Sequence, residues 1–244
     1  MIRWAVDSLD RHPDLSRGEP SSGLLTSRES ATLAGLTVPK RRRDWLIGRH
    51  TLKSLLVEHL RENGRPVRPS DVEVRPAPSG APEVFAGGHQ LDCQVSITHS
   101  EGRAASAVSP NPSVAVVIDL ETVAPRPQRF VADHFTDVEA EHVRRASPGE
   151  RDRLITTIWS GKEAVLKALR IGLTVSPRLV TCRPGSLGGT FRDWVPMQVA
   201  AAPEVLARAG ALCSVPVLYG LWRPLDGQVL TLVTCAAIPS RSTS

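Results

Sequence analysis

The segment Trp159-Ser160-Gly161-Lys162-Glu163-Ala164-Val165-Leu166-Lys167-Ala168 holds two of the four lysines in a chain that otherwise relies on arginine for its fixed positive charge. Trp159, Glu163 and Lys167 are spaced i, i+4, i+8, which puts them along one side of a helix. An ammonium is a compact point charge and a guanidinium a planar fork, so the two are not interchangeable. Lysine kept here either serves a site that needs a point charge or forms an ordinary i,i+4 surface pair with Glu163, worth a few tenths of a kcal/mol. The helix is well delimited. Ser147-Pro148-Gly149-Glu150 is a capping-box pattern with proline at the first helical position. Leu154, Ile155, Ile158 and Trp159 carry its apolar face, and Gly172 is the expected stop. Gly161 in its interior costs about 1 kcal/mol relative to alanine.

Upstream, residues 113–123 read SVAVVIDLETV, a nearly continuous β-branched run that predicts a buried strand. Strand periodicity puts Asp119 and Glu121 on one face and Leu120 on the other. Two adjacent carboxylates repel unless something neutralises them. Either they face solvent at the strand end, or they hold a hard cation, for which magnesium with its taste for carboxylate and phosphate oxygen is the economical choice. A loop and short helix over 124–135 precede Thr136-Asp137-Val138-Glu139, a second capping box.

Residues 39–62 predict a long amphipathic helix with Trp45, Leu52, Leu55, Leu56 and Leu60 as its stripe. Arg42, Arg43, Arg49 and Lys53 fall on a neighbouring flank, which is either a solvated basic face or a grip for phosphates. Short strands are expected at Met1–Val6, Val72–Val74 and Gln94–Thr98, and a short helix after Ser27. His99 falls in a turn, either structural or donating to a phosphate. Residues 173–244 predict mostly strands: Val175–Val180, Trp194–Ala201, and two runs, Cys213–Trp222 and Gln228–Ala237, joined by a hairpin around Pro224-Leu225-Asp226-Gly227. Ser240–Ser244 reads as a disordered tail. Ser109-Pro110-Asn111-Pro112 divides the chain into halves, 1–110 and 111–244, with no repeat detected between them.

The 244 residues suffice for a sizeable core, and 41% hydrophobic with 23% charged residues fits an ordinary globular protein. The net charge of +5 points to an anionic partner. Aromatic content of 4% argues against a stacking platform for single-stranded nucleic acid. Cys93, Cys182, Cys213 and Cys235 are scattered, which disfavours a zinc knot or disulfide framework and suits a reducing cytoplasm. No signal peptide or membrane span is expected.

Taken in order, Arg42–Lys53 with its Trp-x-x-Gly-Arg pattern, Ser96-Ile97-Thr98-His99-Ser100, Val117-Ile118-Asp119-Leu120-Glu121, Phe135-x-x-x-Glu139 and Trp159–Ala168 running on to Gly172-Leu173 resemble the 4'-phosphopantetheinyl transferases, in particular the longer Sfp-like group. The resemblance implies an α/β (α+β) pseudo-dimer of two similar halves with the active site in the cleft between them. It implies transfer of the phosphopantetheine arm of coenzyme A to a serine of an apo acyl or peptidyl carrier protein, with release of adenosine 3',5'-bisphosphate. The implied ion is magnesium, with manganese the other candidate, held by Asp119, Glu121 and Glu163. The residues implied in catalysis are Glu163, which accepts the serine proton, Lys167, which stabilises the transferred phosphate, and His99. Coenzyme A contacts implied are Arg42, Arg43, Arg49, Lys53, Pro82, Thr98, His99, Asp119, Lys162 and Lys167. A lysine common within the Gly-x-Pro element is Ala81 here. The implied enzyme is a cytoplasmic monomer serving acidic carriers, as in polyketide and nonribosomal peptide biosynthesis, without nucleic acid or membrane. Two rival classes remain: a magnesium phosphohydrolase acting on a nucleotide-like substrate, and a basic nucleic-acid-binding module, which lacks any recognisable binding motif.

Overall fold

Each of the two units of the chain lays one long helix against antiparallel strands. A computed structural model describes residues 1–186, 194–210 and 216–237. The units are Met1–Pro112 and Ser113–Ser244.

The first unit contains β1 (Arg3–Ser8), α1 (Pro13–Arg17), α2 (Ser27–Ala34), α3 (Pro39–Glu62), β2 (Val72–Pro76), β3 (Pro82–Ala86), β4 (His89–Gln90), β5 (Gln94–Ser100) and β6 (Arg103–Ser109). The strands form two sheets, β1-β6-β5 and β2-β3-β4. Helix α3 begins at a proline in its first turn and stops at Asn63, with Gly64 in the left-handed region at φ 73°. Leu52, Leu55, Leu56 and Leu60 pack with Val72, Val84, Val95 and Val108 in one core, while Leu46 and Ile47 join Leu15, Leu24 and Leu33 in another. Each fully buried side chain of this size contributes about 1.5–3 kcal/mol. The helix is therefore apolar on more than its predicted stripe, and Trp45 is only partly covered.

The second unit contains β7 (Val114–Thr122), α4 (Gln128–His134), α5 (Asp137–Arg145), α6 (Pro148–Ala168), β8 (Val180–Pro184), β9 (Val195–Ala201), α7 (Pro203–Gly210), β10 (Pro216–Leu225) and β11 (Gln228–Ala237). Among the described residues its strands form one sheet, in the order β7-β11-β10-β9-β8. Ile155, Ile158, Val165 and Leu166 of α6 pack in one core with Val117, Val180, Met197, Trp222 and Val233. Asp226 and Gly227, both at positive φ, make the β10–β11 turn that the sequence signals.

The arrangement is the mixed α and β fold expected, and the strand orders agree across the units. The series β7-β11-β10-β9-β8 is matched by β1-β6-β5 and then β3-β2, with the ladder broken between β5 and β3.

Local expectations need correcting in four places. His99 lies inside β5, because the turn falls two residues later at Glu101-Gly102, both at positive φ. Helix α6 ends at Ala168, before Gly172, and Arg170 takes the left-handed conformation at φ 57°. Residues 177–179 form a 3-10 turn, so the strand predicted at 175–180 begins at Val180. Helix α7 interrupts a region read as β. The start of the predicted strand at Cys213 and the tail Ser240–Ser244 lie outside the described residues. Among the described residues Cys93, Cys182 and Cys235 are free thiols. No described helix is long and apolar enough to cross a membrane.

Candidate active site

Asp119 and Glu121 leave β7 on one face, and Glu163 faces them from α6. One carboxylate oxygen from each lies within 4.8 Å of the others. Asp119 is 1% exposed, so its charge must be met inside the protein. Lys167 donates to Asp119 Oδ1 at 2.7 Å and to Glu163 Oε2 at 3.1 Å. Ser160 Oγ donates to Asp119 Oδ2 at 2.7 Å and sits 2.8 Å from Thr231 Oγ1 on the neighbouring strand. Asp119 is thus fixed from both sides before any ligand arrives. Arg126 stands 3.7 Å from Glu121, its guanidinium over the ring of Phe130.

Three carboxylates face one ammonium and one guanidinium, so negative charge is left over. Burial and the like charges of Asp119 and Glu163 push the Glu121 carboxyl up to about 7, against the pull of Arg126 and Lys167. Burial disfavours the ammonium of Lys167, but Asp119 and Glu163 outweigh it and hold Lys167 above the ordinary lysine range. The donor set is all oxygen, with one group poised to lose its proton. This fits a hard divalent cation, which would be held by Asp119, Glu121 and Glu163.

Lys162 does not join this group. Its side chain is fully buried, 2.7 Å from Glu139, and donates to the carbonyls of Pro177 and Val180. An ammonium has three donors, and all are used, so none is left for phosphate. Glu139 is held in turn: it caps α5 against Thr136 and accepts from Cys182 N–H at 2.6 Å. Lys53 is corrected in the same way. It is fully buried and bonds Glu29 and the Leu24 carbonyl. Glu29 caps α2 against Thr26 and accepts from Val74 N–H at 3.1 Å. Burial lowers the pKa of Lys53 against the pull of Glu29.

The two devices are one design used twice. Asp7, Glu29, Lys53 and Val74 recur as Asp119, Glu139, Lys162 and Cys182, each displaced by about 110 positions. The sequence reading missed this repeat because so few side chains carry it. The signal was present: Thr26-x-x-Glu29 and Thr136-x-x-Glu139 are both capping boxes whose glutamates are almost wholly buried.

The remaining predicted residues lie in the first unit. Arg42 donates to the carbonyls of Gly18 (2.5 Å) and Leu33 (2.7 Å), so it ties loops to α3. Arg49 stacks on Trp45 and lies 3.6 Å from Glu29. Arg43 is half-exposed. The His99 side chain is 49% exposed and 3.8 Å from Asp44, which also pairs with Lys40. Thr98 precedes it on β5, and Pro82 opens β3 opposite Pro76. Ser160, Thr231 and Arg126 were not singled out from the sequence. Ser160 lies inside the quoted helix motif, and Thr231 is one of two threonines in an otherwise apolar run.

Gly161 now has a packing reason. A Cβ there would stand 2.7 Å from Met197 Sδ and 3.1 Å from Cys182 Sγ, so glycine lets α6 approach β8 and β9.

A sequence profile of the 4'-phosphopantetheinyl transferase superfamily matches residues 115–205. That segment includes Asp119, Glu121, Glu139, Glu163 and Lys167. No curated protein matches the chain.

Proposed function

We propose that this chain, whose residues 115–205 match the 4'-phosphopantetheinyl transferase superfamily, moves the phosphopantetheine arm of coenzyme A onto a serine of an apo acyl or peptidyl carrier protein. The convergence of Asp119, Glu121 and Glu163 is the observation that carries this reading. In the proposed reaction the serine oxygen forms a bond to the phosphorus bearing pantetheine. The bond from that phosphorus to the oxygen of adenosine 3',5'-bisphosphate breaks, and the nucleotide leaves.

Magnesium, when bound, would neutralise the charge of the diphosphate. Asp119, already oriented by Ser160, is the fixed ligand. Glu121, whose carboxyl sits up at about 7, would be the ligand that gives up a proton on metal binding. Glu163, 19% exposed, takes the serine proton. Lys167 is 48% exposed, so its ammonium can turn from the carboxylates toward the transferred phosphate. Within the first unit, Arg43, Thr98 and His99 are the proposed contacts for coenzyme A phosphates. Arg42 and Arg49 are spent mainly on carbonyls, Trp45 and Glu29. A positive net charge suits an acidic carrier, so the affinity should fall with added salt. The cytoplasm is the proposed setting, and Sfp-like the proposed subgroup.

Mass spectrometry of a panel of apo carriers incubated with the protein, coenzyme A and magnesium tests this. The expected result is a gain of one phosphopantetheine on at least one carrier, with adenosine 3',5'-bisphosphate formed in equal amount. Breakdown of coenzyme A with no carrier present would instead favour the phosphohydrolase.

A further inference from the structure

We propose that Asp7, His12 and His50 form a second metal site, within the first unit, that takes a zinc-class divalent transition ion. Asp7 lies on β1, His12 at the turn entering α1, and His50 on α3. One ligand atom from each lies within 4.8 Å of the others. Asp7 Oδ2 is 2.7 Å from His12 Nε2 and 3.2 Å from His50 Nδ1. The other oxygen, Oδ1, accepts from Ser8 N–H at 2.8 Å, which fixes the carboxylate with Oδ2 turned to the imidazoles. The imidazoles lie against each other, with ring centroids 4.1 Å apart.

The position of His50 Nδ1 is what separates a ligand set from a simple hydrogen-bonded trio. That nitrogen is buried and makes no hydrogen bond, despite the nearby carboxylate, because the two are misaligned. A buried ring nitrogen without a partner is costly, and a metal ion would satisfy it. Tetrahedral zinc with bonds of about 2.0–2.1 Å sets its donors about 3.3 Å apart. Both separations from Asp7 fall just short of that value, so His50 need retreat by only about 0.1 Å and His12 by about half an ångström. All three side chains are 19–23% exposed, so an ion has an entry path.

The repeat argues for the same place. Asp7 is the counterpart of Asp119, on the strand that opens its unit, and the long helix supplies the facing groups in both units. Donor chemistry sets the two sites apart. Three carboxylates suit magnesium, whereas two imidazoles and one carboxylate with an open position suit zinc. The proposal does not depend on the transfer reaction.

The test uses the full chain, stripped of metal and held in excess magnesium so that the carboxylate site is occupied. Calorimetric titration with zinc alone should show one equivalent bound. His12→Gln and His50→Ala should each weaken it more than about 100-fold, beyond what losing an outer-shell partner does. Cobalt(II) in place of zinc should give the intense visible bands of tetrahedral coordination, absent in both variants. Should His50→Ala fail to fold, His12→Gln decides, since His12 is partly exposed at a helix entrance. Absence of zinc uptake, or uptake unchanged by His12→Gln, overturns the proposal.

Discussion

The two units share a scaffold and differ in the polar groups mounted on it. In each, a glutamate that caps a short helix is buried against a lysine of the long helix and a strand N–H: Glu29, Lys53 and Val74 in one, Glu139, Lys162 and Cys182 in the other. In each, the opening strand carries an aspartate. Beyond that they part. Glu121 lies two residues after Asp119, where Leu9 follows Asp7. Glu163 follows Lys162, where Ser54 follows Lys53. Gly161 precedes Lys162, where the buried Leu52 precedes Lys53. A few side-chain changes on one framework therefore separate an all-oxygen cluster from a histidine-rich one. The difference teaches which lysines hold the frame and which face the chemistry.

The largest expected effect falls on Glu163, which has no counterpart in the first unit. Glu163→Gln should lower kcat for transfer by about 10³-fold with the fold intact by circular dichroism. Near-normal turnover would remove Glu163 from the reaction.

Next come the two buried lysines. Lys162→Ala should cost about 3–5 kcal/mol, because a buried carboxylate is left unpaired, and Lys53→Ala somewhat less, because Arg49 stays 3.6 Å from Glu29. Chemical denaturation checks this. A Lys162→Ala protein of ordinary stability with a raised KM for coenzyme A would restore that lysine to phosphate binding and break the parallel.

Gly161→Ala tests the close approach of α6 to its sheet. Overpacking costs about 1–3 kcal/mol and the helix gains about 1 kcal/mol from alanine, so a net loss of about 1 kcal/mol is expected. A rise in Tm would show that Met197 and Cys182 yield freely.

The smallest effect is electrostatic and depends on pH. The folded-state pKa of Glu121 is raised, so the native state holds a proton that the unfolded chain releases first. Between the ordinary carboxylate range and about 7, rising pH therefore destabilises the metal-free protein. Glu121→Gln should raise its Tm at pH 8 by about 3 °C, or about 1 kcal/mol. The gain should vanish at pH 4, where both states are protonated, and magnesium should reverse its sign at pH 8. A variant whose Tm gain is the same at both pH values would contradict the repulsion.

What could be read in the sequence follows the kind of signal involved. Period and caps gave the long helices, because Pro39, Asn63-Gly64 and Pro148 punctuate strongly apolar stretches. Alternation put Asp119 and Glu121 on one face of a strand. Lys53 and Lys162 could not be placed this way. Their burial is decided by Glu29 and Glu139, more than twenty residues upstream of each, and by strand carbonyls and N–H groups that no local pattern reveals. The end of α6 was misplaced because Arg170, a non-glycine, already takes a left-handed step at φ 57°, two residues before Gly172 takes its own at φ 54°. Gly161 had no local rationale because its reason lies on β8 and β9. Asp7, His12 and His50 escaped notice because nothing in their spacing brings a strand, a turn and a helix together.

The gathering of three carboxylates around one hard cation is tested most directly by diffraction. Crystals grown with manganese and coenzyme A should show one anomalous peak in the second unit, bonded to oxygens of Asp119, Glu121 and Glu163 together. A peak that leaves any of the three beyond bonding reach, or no peak there at all, would contradict it.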